Sequence, residues 1–339
     1  MRAAVLEEYS APLRLADVPD PEPGEGEALV RVRTTGICGS DLKLASGALA
    51  RAASRATTGL PRIPGHEVAG ELVEPVDGLE TGQPVACYIY ETCGRCPSCV
   101  EGRRNLCHAR VRLGFERDGG LAELVAVPSR NLLPFDGGDF AGAAVTMDAI
   151  AVPWKALRGR AGIRAGQSVT IAGAGGLGLH AVQVARRFGC VVAAIDPVES
   201  HRARAHELGA ELTVGPDEAE LIREWSGGGT DVALDASGSP NGFRAAVGAT
   251  RPGGTVVCCG YFPGVDYSVD SARLVLDEIE LKGSVGMDIE SARDALRAVE
   301  LGEVKPVIDG LVPLEEVNSA FARLAAGEAM GRVVVEVRA

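Results

Sequence analysis

The segment Gly173-Ala174-Gly175-Gly176-Leu177-Gly178 narrows the possible folds of this chain more than any other. It fits Gly-x-Gly-x-x-Gly, a pattern that arises by chance in a chain with 44 glycines, so its surroundings must carry the argument. The apolar run Ser168-Val169-Thr170-Ile171-Ala172 precedes it, and a helix-period stretch from Leu177 to Phe188 follows. A second apolar run, Val191 to Ile195, then ends in Asp196. In such a strand–turn–helix the first glycine permits a tight turn. The second lets backbone approach a pyrophosphate, and the third lets the helix pack against the strand. Free N–H groups at the helix start favour phosphate. Gly173, Gly175, Gly176, Leu177 and Gly178 are therefore the candidate dinucleotide cradle, and Asp196 the candidate acceptor for ribose hydroxyls. A carboxylate there repels a 2′-phosphate, so NAD is expected in preference to NADP. Arg202 and Arg204 just downstream weaken that preference unless they form an exposed helix face. A methyltransferase fold also uses a glycine-rich strand–helix turn and is the competing reading of this segment.

Periodicity divides the chain. Its first part alternates apolar and polar residues in short runs, Ala3 to Leu6 and Leu29 to Val32, separated by Pro19, Pro21, Pro23 and Gly24. Val68 to Val73 and Leu121 to Val127 continue the pattern, which reads as antiparallel β-structure. From about residue 150, apolar runs alternate with helical stretches: Val191 to Ile195, a helix near Glu199 to Leu208, then Val232 to Leu234. That alternation implies a parallel sheet with crossover helices. It fades near residue 287, after which a helix (Pro313 to Ala326) and a strand (Val333 to Val337) are expected. The expected domains are a β-rich one over 1–149, a doubly wound one over 150–287, and a return segment, 288–339, completing the first.

With 46 acidic residues against 34 Lys and Arg, the net charge is −12. An acidic surface disfavours nucleic-acid and anionic-membrane partners, which want clustered cations. No apolar stretch is long enough for a membrane span. Met1 to Tyr9 lack the layout of a secretion signal, so a cytoplasmic protein is expected.

Nine cysteines are many for such a chain, and four of them, Cys93, Cys96, Cys99 and Cys107, form Cys-x2-Cys-x2-Cys-x7-Cys. In a reducing compartment this clustering reads as metal binding. Four thiolates close a tetrahedral shell around zinc and leave no open position, so the lobe 93–107 is structural. An iron–sulfur cluster is the main rival, but the bacterial run has a shorter last gap followed by proline, whereas here His108 follows. Cys87, Cys190, Cys258 and Cys259 read as small buried hydrophobes.

A second constellation carries chemistry. Gly36-Ile37-Cys38-Gly39-Ser40-Asp41 places a cysteine in a glycine-bounded turn, and Gly65-His66-Glu67 follows Pro64. A cysteine, a histidine and carboxylates suit a catalytic zinc, which needs about three protein ligands and an exchangeable position. Together with the four-cysteine lobe, the glycine segment and the terminal Gly331-Arg332-Val333-Val334-Val335, these motifs resemble the zinc-dependent medium-chain dehydrogenase/reductase family, the alcohol and polyol dehydrogenases. The resemblance spans essentially the whole chain. It implies an α/β fold with a β-rich GroES-like catalytic domain and a Rossmann domain, holding two zinc ions per chain and NAD.

The resemblance further implies that Cys38 and His66 bind the catalytic zinc and that Glu67 ligates or approaches it. Asp148, in Thr146-Met147-Asp148-Ala149, takes the place of a third ligand, with a helix N-cap as the alternative. Asp41 orients His66, or else stabilises the Gly39-Ser40 turn. The activity implied is hydride transfer between an alcohol or polyol and NAD(H), with Ser40 taking the hydroxyl proton. A reductase of an activated double bond, or a non-enzymatic nucleotide-sensing relative, are the alternatives. Many members carry histidine three residues after the serine. Here Lys43 stands there, either as a proton carrier, an anchor for the cofactor, or a surface lysine. The connector from Ser46 to Leu60, with Arg51 and Arg55, lies near the substrate cleft in the family and reads as a substrate-recognition segment or a solvated loop. A homodimer or homotetramer is expected from the family, and a small-molecule alcohol, polyol or carbonyl compound as substrate.

Overall fold

The computed structural model describes residues 1–51 and 59–337. Arg55, with the rest of residues 52–58 of the Ser46–Leu60 connector, therefore lies outside the described residues, as does the side chain of Arg51. Two compact units emerge: Met1–Ala149 with Asp288–Gly302 and Ile308–Ala339, and Ile150–Met287 with Glu303–Val307.

The first unit is built on the strand Glu27–Ile37. Ala28, Val30 and Val32 point inward while Leu29, Arg31 and Arg33 are half-buried, the period of two that a one-sided sheet demands. From Thr34 to Ile37 burial becomes continuous, so the strand drives its end into the interior just before Cys38. It pairs antiparallel with Glu67–Leu72, Leu124–Pro128 and Arg332–Glu336. Three residues that matter below, Cys38, Glu67 and Arg332, thus sit at neighbouring strand ends. Gly36 lies opposite Glu67, and a side chain at position 36 would collide with the Glu67 carboxylate, so the glycine makes room for it. The strand Ile308–Pro313 joins the edge in parallel with Arg332–Glu336, the one parallel pair among the described residues of a sheet expected to be antiparallel.

Pro313 ends that strand instead of opening a helix. A 3-10 turn, Leu314–Glu316, and the helix Val317–Ala325 follow. The helix Ile289–Glu300, not anticipated from the sequence, also belongs to this unit. Its Asp288 cap accepts the Ser291 N–H at 2.7 Å.

The second unit is a six-stranded sheet in which every neighbouring pair runs parallel. Its spatial order is Leu212–Val214, Val191–Ile195, Ser168–Ala172, Thr230–Asp235, Thr250–Cys258, Glu280–Gly283. In chain order this is 3-2-1-4-5-6, the doubly wound arrangement, with the reversal between the first and fourth strands. Helices Gly178–Arg187, Glu199–Glu207, Ala219–Ser226 and Pro240–Ala249 make the crossovers. Ala172, Ala193, Ile195, Ala233 and Val256 from its strands meet Ile222, Phe243 and Ala246 from its helices in one core. Cys87 and Cys190 are buried as expected, but Cys258 and Cys259 are only half-buried, because the strand Thr250–Cys258 ends there and the sheet no longer covers them.

Candidate functional site

In the second unit the glycine turn sits where the doubly wound sheet presents its crevice. Gly173 has φ +91°, a left-handed value that suits glycine. A side chain at Gly178 would strike the Gly173 carbonyl, so the helix starts against the turn only because that residue has none. Asp196 is 6% exposed, and its two carboxylate oxygens accept the N–H groups of Ala174 at 2.7 Å and Val198 at 2.8 Å. The acid expected to receive ribose hydroxyls therefore also ties the glycine turn to the next strand. Oδ2 keeps a lone pair for a ligand, whereas Oδ1 also has His201 Nδ1 at 3.4 Å. Arg202 is half-buried and folds back on the chain. It donates to the Asp196 carbonyl at 2.8 Å and the Pro197 carbonyl at 3.0 Å, whereas Arg204 pairs with Glu207 on the helix surface. His180 was not anticipated. Its Nδ1 lies 2.6 Å from the Gly176 carbonyl, and its Nε2 accepts the Val307 N–H at 2.8 Å. That pairing puts the proton on Nδ1 and fixes the carbonyl of the turn.

In the first unit Cys38, His66, Glu67 and Asp148 converge, with one donor atom from each lying within 4.8 Å of the others. Cys38 precedes the helix Gly39–Ala45, and its N–H donates to Asp41 Oδ2 at 2.9 Å. The other Asp41 oxygen lies 3.1 Å from His66 Nδ1. Asp41 thus serves both the turn and the imidazole, and Nε2 is left facing Cys38 and Asp148. Asp148 is not an N-cap: it lies inside a continuous helical stretch, in the wide π turn Thr146–Ile150. Such turns are frequent at functional sites. Asp148 Oδ2 is 3.3 Å from the Cys38 sulfur and 3.9 Å from His66 Nε2. Ser40 Oγ is 3.3 Å from the same nitrogen.

Arg332, which sequence reasoning quoted in the terminal motif without assigning a task, is the cation of this cluster. Its Nε donates to Glu67 Oε1 at 2.9 Å. Its Nη2 donates to Asp148 Oδ2 at 2.9 Å and to the Cys38 sulfur at 3.3 Å. A buried arginine needs acceptors, but its sequence context, Gly-Arg before a run of valines, does not distinguish it from an ordinary strand start.

The electrostatics follow from burial and crowding. Burial pushes the Glu67 carboxyl up to about 8, and Asp148 and Asp41 add to this against the pull of Arg332 and His66. Burial pulls the His66 imidazole down, yet Asp41, Asp148 and Cys38 outweigh it, and its pKa stands well above the usual value. Burial also raises the Asp148 carboxyl, but His66 and Arg332 hold it well below the carboxylate range. Lys43 is lowered by burial, against the upward pull of Cys38 and Asp148.

Zinc fits this donor set. A thiol, an imidazole and two carboxylates match its preferences, and Glu67 Oε2 is buried with no hydrogen-bond partner among the described residues. A cation beside that oxygen would satisfy it.

The four-cysteine lobe forms a second set, with the sulfurs of Cys93, Cys96, Cys99 and Cys107 within 4.8 Å of one another. The Cys93 and Cys107 sulfurs are 3.5 Å apart, far beyond a disulfide bond, and every cysteine is free. Backbone N–H groups of Arg95 and Cys96 lower the Cys93 thiol to about 6, while burial raises Cys99 to about 11. A turn that aims N–H groups at sulfur is prepared for thiolates, hence for a soft cation.

Comparison with known proteins agrees with this geometry. Residues 24–137 match the alcohol dehydrogenase GroES-like domain, and residues 176–300 match the zinc-binding dehydrogenase domain. An alcohol dehydrogenase of Geobacillus stearothermophilus is 33% identical over 99% of this chain and 100% of its own. The L-threonine 3-dehydrogenase of Streptomyces coelicolor is 34% identical over 99% of both. The cobalt- and zinc-bound thermostable alcohol dehydrogenase of Pyrobaculum aerophilum superposes with a TM-score of 0.89 at 30% identity, covering 99% of each chain.

Proposed function

From the premise that the chain belongs to the zinc-dependent medium-chain dehydrogenase/reductase family, we propose that it oxidises an alcohol or polyol, or reduces the corresponding carbonyl compound, by hydride exchange with NAD(H). The observation that carries this reading is the convergence of Cys38, His66, Glu67 and Asp148 on one point. Cys38, His66 and Asp148 would hold the catalytic zinc. Glu67 stands beside it with one oxygen already engaged by Arg332. The four cysteines of the lobe would hold the structural zinc, and Gly173 to Gly178 with Asp196 would hold the dinucleotide. When bound, zinc supplies Lewis acidity to a substrate oxygen and the nicotinamide ring exchanges the hydride.

The chain's own groups do the rest. Asp41 fixes the tautomer of His66, so that its Nε2 points at the metal position. The Ser40 hydroxyl, beside that nitrogen, is placed to take the proton of a substrate hydroxyl. Lys43, three residues further on the same short helix, shares its face. Burial lowers its pKa, the direction that a group passing the proton outward in place of the family's histidine requires. Asp196 accepts the adenosine ribose hydroxyls and repels a 2′-phosphate, and Arg202, engaged with the backbone carbonyls of Asp196 and Pro197, is less available to favour NADP.

Substrates are small alcohols, polyols or carbonyl compounds. The retained ligand set disfavours both a double-bond reductase and a nucleotide sensor. No helix among the described residues is long and apolar enough to cross a membrane. A homodimer is supported by the strand Glu280–Gly283. It ends the parallel sheet with a single neighbour and lies in a stretch where Val275, Leu276, Leu281 and Val285 are exposed.

Metal analysis of purified protein and absorbance of reduced nicotinamide across an alcohol and polyol panel test the reading. About two zinc per chain and NAD-dependent turnover are expected. One zinc per chain and no turnover with any alcohol would overturn it.

A further inference from the structure

The two ends of the four-cysteine lobe are joined by a two-stranded ribbon, with Tyr90 opposite Arg112 and Glu91 opposite Val111. Leu113 N–H adds a bond to the Ile89 carbonyl at 3.0 Å. The chain then turns sharply. The Arg112 carbonyl accepts the N–H groups of Phe115 and Glu116, both at 3.1 Å. The Glu116 carboxylate takes the Arg112 N–H at 2.8 Å and its Nε–H at 3.0 Å. This turn drives Phe115 inward, where it is 2% exposed. Its ring centroid lies 5.0 Å from that of the His66 imidazole, tilted by 47°, and the Arg112 guanidinium sits over the same ring, 4.5 Å from its centre. The next residues fasten onto the segment leading to His66. Gly119 donates to the Ile63 carbonyl at 2.8 Å, Gly120 to Gly65 at 2.9 Å and Leu121 to Pro64 at 3.1 Å. Asp118 Oδ1 accepts the Ile63 N–H at 3.0 Å.

We propose that Phe115 is a positioning residue for His66, and that the four-cysteine lobe, through the 112–121 loop, holds it in place. The inference rests on the reading of Cys38 and His66 as metal ligands. Asp41 holds His66 at Nδ1, and the Ser40 hydroxyl, 3.3 Å from Nε2, gives only a long contact at the other nitrogen, so hydrogen bonding alone leaves the imidazole plane weakly fixed. A ring packed on the imidazole removes that freedom, and a ligand's aim depends on such supporting contacts. Phe115 is itself held by the guanidinium of Arg112, whose position is set by the ribbon that closes the lobe. A lobe that does no chemistry would in this way set the direction of a catalytic ligand.

The test uses the full-length protein loaded with cobalt in place of zinc. The visible ligand-field bands of the Cys38 and His66 site are isolated as the difference from a Cys38→Ala variant. Phe115→Leu and Phe115→Met remove the ring and keep apolar volume, so one serves if the other does not fold, and Phe115→Tyr restores the ring. The ring-less variant should bind as much metal as wild type, shift the bands and lower kcat by about ten- to a hundredfold. KM for NAD should stay unchanged, and Phe115→Tyr should recover both bands and kcat. Unchanged bands and kcat in a folded ring-less variant overturn the proposal. Wild-type protein with no bands that depend on Cys38 would instead sink the metal assignment, which separates the two failures.

Discussion

Replacing Arg332 by methionine tests the buried charge cluster most directly. The side chain is 5% exposed and its partner Glu67 is fully buried. The substitution keeps the apolar stem but removes the donors to Glu67, Asp148 and Cys38. Removing one partner of a buried ion pair costs about 3–5 kcal/mol, because the remaining charge is left without compensation. Burial already raises the Glu67 carboxyl to about 8, so near neutral pH it largely carries a proton and the charge left without compensation is mainly that of Asp148; the lower end, about 3 kcal/mol, is expected in metal-free protein. With zinc bound, a cation remains beside Glu67 Oε2, and the loss should be smaller. The double variant Glu67→Gln, Arg332→Met removes both charges and should recover part of the loss, since a neutral replacement of a buried pair is often tolerated.

The assay is denaturant unfolding of the wild type, both single variants and the double variant, each with and without chelator. The comparison is between midpoints, because two units and two metal sites make a single unfolding free energy ill-defined. A positive coupling between positions 67 and 332, larger without metal, is the expected result. If Arg332→Met shifts the midpoint no more than a surface substitution in chelated protein, or if the two single losses add without coupling, the charge-cluster argument is wrong.

Cys93→Ser should lower bound zinc from about two to about one per chain and destabilise the protein, read by metal analysis and thermal midpoint. Asp196→Ala removes the acceptor of the Ala174 and Val198 N–H groups as well as the proposed ribose acceptor, so KM for NAD should rise about tenfold or more, with zinc content unchanged. Lys43→Ala should slow turnover with little loss of zinc, and unchanged kcat and cofactor affinity would retire its role. Asp231 accepts hydrogen bonds from the Ser168 N–H and hydroxyl and from Arg251, and its pKa is lowered by these contacts against the upward push of burial. A depressed carboxylate stabilises the fold above its unfolded-state pKa and loses that contribution as pH falls through the folded one. Asp231→Asn should therefore lower the thermal midpoint at neutral pH, with the difference shrinking in acid.

What could be read in the sequence, and what could not, divides along one physical line. The dinucleotide turn and the four-cysteine lobe are local. Their parts lie within a few turns of chain, and spacing alone carries their geometry. The parallel sheet was legible for the same reason, since strand and helix alternate at short range from Ser168 onward. The cluster around Cys38 depends on long-range pairing. Gly36 opposite Glu67, and Ile37 opposite Val333, are register facts that no local pattern states. Type and family resemblance could nominate Cys38, His66, Glu67 and Asp148. Neither could nominate Arg332, because a lone arginine before a valine strand looks like an ordinary strand start until the register brings it beside two carboxylates. His180 escaped similarly: on an amphipathic helix it reads as a polar residue, and only the return of the chain to Val307 reveals its second partner. The helix boundary at Pro313 failed for a different reason. Proline suits the first turn of a helix and also the end of an edge strand, and the choice between them is made by the strand Arg332–Glu336, which pairs with Ile308–Pro313. Residues that make the site work as a unit are thus those whose partners lie farthest away in sequence, and mutagenesis guided by motifs alone would pass over Arg332, His180 and Phe115.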